Sequence, residues 1–261
     1  MKKTLSIANG IAIVATIIMN YLSNTGVFNN KTMADVSGSY QNYFTPAGYA
    51  FAIWGIIYLG LLGFVIYSGR GLFKKTEDEW PVLEIGWWFV ISCVANSCWI
   101  VAWLYDYIGL SVIIMIILLG CLIKIILNTR MELDDLPLKK FAFVFWPFCI
   151  YAGWISVALI ADIAAYLTKI KWNGFGISQI SWAIIMIIIA GVLNIFITWK
   201  RNMREFALVG VWALVAISVA NKSGEQTIVY SALIVAALIF ISISIHAYKN
   251  RKENPWRKRA I

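Results

Sequence analysis

Apolar runs long enough to cross a membrane dominate this chain, and the basic residues between them sort almost entirely to one side. Spanning about 30 Å of hydrocarbon takes about 20 helical residues. Such stretches lie at residues 5–23, 46–69, 84–105, 108–128, 141–168, 178–199, 205–220 and 226–247. Threading the chain through them places 18 of its 22 Lys and Arg residues on one face, Lys2, Arg70, Arg130, Lys200 and Arg251 among them, and leaves only Lys31, Lys169, Lys171 and Lys222 on the other. Basic residues in short loops collect on the cytoplasmic side. The sorting therefore predicts an even number of spans with both termini cytoplasmic, and a frame shifted by one helix would scramble it.

With 61% hydrophobic and 13% charged residues, the chain has too little polar surface to cover a soluble globule. A transmembrane barrel needs alternating segments of about ten residues, whereas the run from Ser111 to Leu127 is apolar on every face. The predicted fold is all-α, a polytopic transmembrane helical bundle of about eight spans. The net charge of +9 is accounted for by the positive-inside pattern, which excludes a nucleic-acid partner. Membrane lipid is the expected partner of the basic tail from Lys249 to Arg259. Met1-Lys2-Lys3 before an apolar run resembles a signal peptide, but no small-residue cleavage site follows at Asn20 to Asn24. The run is read as an uncleaved first span. A bacterial cytoplasmic membrane is the expected location.

Cys93, Cys98, Cys121 and Cys149 fall inside predicted spans without a C-x-x-C pair and read as packing residues. His246, the only histidine, has no second His or Cys at ligand spacing, so no metal or haem ligation is assigned. No catalytic triad, phosphate-cradling Gly loop or paired-carboxylate motif is visible, which favours a binding role over an enzymatic one. The longest outer connection, residues 24–45, is a candidate lid or a solvated connector. The inner loop from Thr129 to Lys140 reads as a solvated, mixed-charge surface.

Thirteen Trp residues exceed what two interfacial belts require. Trp80, Trp172, Trp199, Trp212 and Trp256 fall near helix ends, as interfacial anchors do. Others lie deeper. Phe51, Trp54 and Tyr58 follow the i, i+3, i+7 spacing of one helical face, as do Asn96, Trp99 and Trp103 in the third span and Tyr151, Trp154, Ala158 and Asp162 in the fifth. At about 1.5 Å per residue, Trp54, Trp99 and Asp162 each lie roughly 10 Å from the outer ends, so the three stripes can meet in one layer. A pocket open toward the outer loop follows. A carboxylate at a helix centre costs about 3 kcal/mol; Asp162 is expected either to bind a polar ligand group or to join helices through Asn96 or Tyr58. Asp106, at the outer end of the third span, is expected to face solvent.

At these residues the chain resembles the TspO/translocator-protein family, the tryptophan-rich sensory proteins. Pro46-Ala47-Gly48-Tyr49-Ala50-Phe51 leading into Trp54 and Tyr58 is similar to the family's second helix, and Asn96-Ser97-Cys98-Trp99 to its Asn-x-x-Trp. Pro147-Phe148 with Trp154-Ile155-Ser156-Val157-Ala158 resembles the fifth-helix pattern, with Asp162 where the family usually has Asn. These blocks cover residues 5–168, a TspO-like five-helix domain on this reading, with 169–261 contributing three additional spans and the basic tail. The spacing before Trp54 is one residue short, that from Pro147 to Trp154 about three too long, and the outer loop lacks the family's Trp residues. The resemblance implies a bundle, often dimeric, that binds tetrapyrroles such as porphyrins; it implies a bound ligand and no firm cofactor. By position Trp54, Asn96, Trp99, Trp154 and Ala158 carry over. An ionised Asp162 would repel a porphyrin propionate and would suit a cationic or hydroxyl-bearing ligand better.

The leading expectation is a membrane binding or sensory protein for a flat, hydrophobic small molecule, since aromatic faces stack on such rings. A small-solute secondary transporter and an intramembrane porphyrin-degrading enzyme are the alternatives.

Overall fold

The computed structural model describes residues 1–73, 80–134 and 136–250. Most of the basic tail, Trp256 included, lies outside these residues, as do Lys74 to Glu79 and Asp135. The described chain is helical throughout: α1 (Lys2–Leu22), α2 (Met33–Ser39), α3 (Ile53–Gly69), α4 (Trp80–Ile85), α5 (Trp88–Leu104), α6 (Ile108–Asn128), α7 (Leu138–Lys140), α8 (Trp146–Lys169), α9 (Gln179–Arg201), α10 (Arg204–Asn221) and α11 (Gln226–Lys249). Among the described residues, seven helical segments are long and apolar enough to cross a membrane. The remaining predicted span is α5, an apolar helix of 17 residues, or about 25 Å at the helical rise. It is preceded by α4, from which a turn at Gly86 separates it, with φ 56° that a side chain would resist.

Local chemistry sets the element ends. Thr32 and Asp35 form a capping box that starts α2 inside the long outer connection. A wide π-helical turn at Phe141–Phe145 precedes Pro147, which has no backbone N–H to donate to the preceding turn. Asn202 takes the left-handed conformation, φ 59°, that closes α9.

Side chains such as Ile113, Ile116 and Ile117 stand half exposed on the outside of the bundle, where lipid replaces water as the apolar solvent. Inside, α1 packs on α3 and α5, α5 on α6, α6 on α8, and α10 on α8, α9 and α11. The helices approach where residues are small: a Cβ on Gly153 of α8 would stand 2.8 Å from the Phe206 carbonyl oxygen of α10. Met203, Phe206 and Val209 belong to the same hydrophobic cluster as the first five spans, while Val157 of α8 and Phe44 join the cluster of α9 to α11.

The inner loop departs from the expected solvated surface. Asp134 pairs with Arg130 at 3.2 Å in the open, but Glu132 is only 5% exposed and Lys140 is also buried. Burial, reinforced by the nearby Glu205 charge and opposed by Arg204, raises the Glu132 carboxyl to about 9.

Candidate functional site

α3 and the oppositely running α5 and α8 bring the predicted stripes into one layer. Trp54 sits at the centre. Its ring stacks on Tyr58 (centroids 5.4 Å apart, planes 17°), lies 6.5 Å from Trp99 at 32°, and meets Trp154 at 6.4 Å and Tyr151 at 5.8 Å edge-on. Trp99 stacks on Trp103 at 5.9 Å, and Phe51 meets Trp154 at 6.1 Å. These are the offset and edge geometries that ring quadrupoles favour.

Phe51, Trp54, Trp99, Trp103, Trp154, Ala158 and Asp162 border one hollow of about 40 Å³. Asn96, Tyr58 and Tyr151 lie beside it and do not line it. Tyr58 instead borders a groove of about 480 Å³ between α1 and α3, which Phe51 and Trp54 share with the hollow. Asn96 is fully buried, donates to the Tyr151 hydroxyl at 3.1 Å and accepts from Asn20 of α1 at 2.9 Å. This chain of amides holds α1, α5 and α8 in register beneath the indoles.

Asp162 is 2% exposed, and its partners differ from the expected Asn96 and Tyr58. It accepts from Trp99 Nε1 at 3.1 Å, and the Ser111 hydroxyl of α6 lies 2.8 and 3.1 Å from its two oxygens. That hydroxyl has one proton and also stands 2.7 Å from the Ile108 carbonyl oxygen, so it can serve only one acceptor at a time. Trp154 Nε1 is buried and finds no acceptor among the described residues.

The outer connection is a structured cap over this layer. Met33 and Val36 of α2 are buried, and the Met33 carbonyl accepts from Trp103 Nε1 at 3.3 Å. Ser37 and Tyr40 line the hollow from above. The Tyr40 hydroxyl donates to Asp106 at 2.6 Å, and Lys169 Nζ donates to the same carboxylate at 2.8 Å. Asp106, expected to face solvent, thus remains partly exposed but ties three outer segments together. Burial alone would raise its carboxyl; the bonds from Lys169 and Tyr40 outweigh that and hold it below the usual value. Burial and the Asp106 acceptor push the Tyr40 hydroxyl above the ordinary phenol value.

Of the expected interfacial anchors, Trp212 lies midway along α10 and bonds to the turn before α3: its Nε1 donates to the Ala50 carbonyl at 3.2 Å and its ring meets Tyr49 at 5.2 Å. The Ala47 amide donates to the Ala216 carbonyl at 3.0 Å. α10 therefore braces the 3₁₀ turn Gly48–Ala52 that positions Phe51 and leads into α3. Trp199 keeps an anchor's position near the inner end of α9, bonded to Ser242 and beside His246.

Sequence reasoning did not find Asn20, Tyr40 or Ser111. Ser111 had one available signal, being a polar side chain early in an otherwise apolar run.

The fold and this layer define a polytopic helical membrane protein with an aromatic-walled hollow, bordered by a buried carboxylate, under an outer cap. The chain matches the family model described as TSPO-like protein over residues 6–245, and it belongs to that family. The match continues through α9 and α10 and most of α11, beyond the blocks at 5–168. No curated protein and no solved structure matches the chain.

Proposed function

We propose that the protein binds a flat, largely apolar small molecule from the outer side of a bacterial cytoplasmic membrane, in the layer beneath α2. The observation that carries this reading is the convergence of Trp54, Trp99, Trp103 and Trp154 on one hollow beside Asp162. Indole faces supply stacking area at little entropic cost, and the few polar groups orient the guest.

A tetrapyrrole is the ligand class to which the family resemblance leads. Binding sites for drug-sized ligands span roughly 300–1,000 Å³, so a macrocycle does not fit the 40 Å³ hollow as it stands. The adjoining groove of about 480 Å³ is large enough, and Phe51 and Trp54 form the shared wall. On this reading the plate of the ligand lies in the groove, with one edge admitted to the hollow when Trp54 turns.

Titrating tryptophan fluorescence with protoporphyrin IX in detergent tests the proposal. Saturable quenching that weakens when Trp54 is replaced by Ala supports it. Quenching that stays linear in porphyrin concentration removes the tetrapyrrole from the reading.

A further inference from the structure

We propose that the hollow is a cage for an alkylated ammonium group, so that the ligand's polar head is an organic cation. This rests on the reading that the layer beneath α2 binds a small molecule, and it names the chemistry of the part that enters deepest.

Charge sets the sign. Asp162 is the only ionisable acid or base other than Tyr40 among the described residues that line the hollow, and it is buried. Its partners, an indole N–H and a hydroxyl, are neutral. The basic residue nearest along the helix, Lys169, is two turns away and is held by Asp106. A carboxylate in low dielectric without a countercharge attracts a cation and repels an anion.

The walls choose which cation. Trp54, Trp99 and Trp103 lie with their planes within 32° of one another along the chain of contacts, while Trp154 stands at 82° to Trp54. Indole faces attract a cation through the ring quadrupole, and most strongly when water is excluded. A hard inorganic cation such as calcium needs six to eight oxygen ligands, and this hollow offers one carboxylate and the hydroxyls of Ser37, Tyr40 and Thr45 among rings. An alkylated ammonium needs the opposite: apolar surface against its methyl groups and one negative charge. The volume fits too. At about 40 Å³ the space exceeds what one water needs, about 10–15 Å³, and admits a small head but no ring system.

Equilibrium dialysis in maltoside detergent with benzyltrimethylammonium and its uncharged isostere neopentylbenzene, each referred to free concentration, tests the inference. The cation is expected to bind at least about tenfold more tightly, and Asp162→Asn to bring the two within about threefold. Trp99→Phe, which keeps a ring, is expected to retain most of the preference. Thermal melts confirm that each variant folds. Displacement by free choline marks a dissolved ammonium ion as the occupant, and displacement by dihexanoylphosphatidylcholine alone marks a lipid headgroup; both support the cage. Equal binding of the two isosteres, unchanged in Asp162→Asn, overturns the ammonium inference while the flat-ligand reading stands. Saturable porphyrin quenching with no cation binding does the same, and failure of both ligands to bind removes the two together.

Discussion

Tyr40 donates its hydroxyl proton to Asp106 across 2.6 Å, joining the end of the outer cap to the turn between α5 and α6. Lys169 of α8 closes the triangle at 2.8 Å. These three side chains tie the ceiling of the hollow to two of the elements that carry its walls, so the latch should govern access. Tyr40→Phe is expected to raise amide hydrogen exchange across Met33–Ser39 and to speed both association and release of ligand, with less effect on affinity. Stopped-flow quenching reads the rates. Unchanged exchange in α2 would show that the latch does not hold the cap.

The same carboxylate gives the cap an acid limit. Asp106 has its pKa depressed in the folded protein, so its contribution is present above the ordinary carboxylate value and is lost as pH falls through the lowered one. Opening of the cap is therefore expected at acid pH in the parent, and already at neutral pH in Asp106→Asn. Exchange in α2 measured from neutral pH downward checks the direction.

Glu132 works the other way. Burial first, then the Glu205 charge, raise its carboxyl to about 9. Between the ordinary glutamate value and that figure, the folded protein holds a proton that the unfolded chain has released. Its stability is then full below the unfolded value and declines as pH rises toward the folded one, by up to about 1.4 kcal/mol per pH unit. Glu132→Gln keeps the shape and removes the titration. Denaturation in mixed micelles should show a stability falling between about pH 6 and about pH 8 in the parent and a flatter profile in the variant.

Gly153 marks the closest approach of α8 to α10, and an added Cβ would press to 2.8 Å of the Phe206 carbonyl oxygen. Backbone cannot yield as a flexible side chain does. Gly153→Val is expected to cost about 1–3 kcal/mol through overpacking and to loosen the brace that α10 gives to the turn before Trp54. Lower melting temperature together with weaker ligand binding is the expected pair of results.

The aromatic layer was legible because its signal is periodic: i, i+3, i+7 fixes a face, and alternating span direction fixes which depths can meet. Azimuth between helices is not written in one helix's spacing. Asp162 was expected either to bind a ligand group or to join helices through Asn96 or Tyr58, yet Asn96 faces Asn20 and Tyr151 while Asp162 turns to Trp99 and Ser111. Ser111 and Asn20 are single polar residues on α6 and α1, and a single residue has no period. Glu132 looked like one charge among many in a loop; its burial comes from packing at the inner ends of other helices, which loop composition does not encode. The last three spans carried none of the quoted motif blocks, although Trp212 and Ala216 of α10 hold the turn that presents Phe51.

Trp54 divides the hollow from the α1–α3 groove, since its side chain lines both. If the wall sets the size of ligand admitted, shortening it should matter more for large guests than for small ones. Trp54→Ala removes contacts with Tyr58, Trp99, Tyr151 and Trp154 and should destabilise the fold by about 2–4 kcal/mol, somewhat less than the about 3–5 kcal/mol of a fully buried Trp because the ring is only partly buried. Ligand entry and exit should both quicken, exit more, because stacking area is lost with the wall. Trp54→Phe keeps a ring in place and should leave the rates within about threefold of the parent. Comparing association rates for porphyrin and for a small aromatic cation across the two variants separates gating from plain loss of packing: gating accelerates the larger ligand selectively in Trp54→Ala, whereas loss of packing alone leaves the ratio of the two rates unchanged.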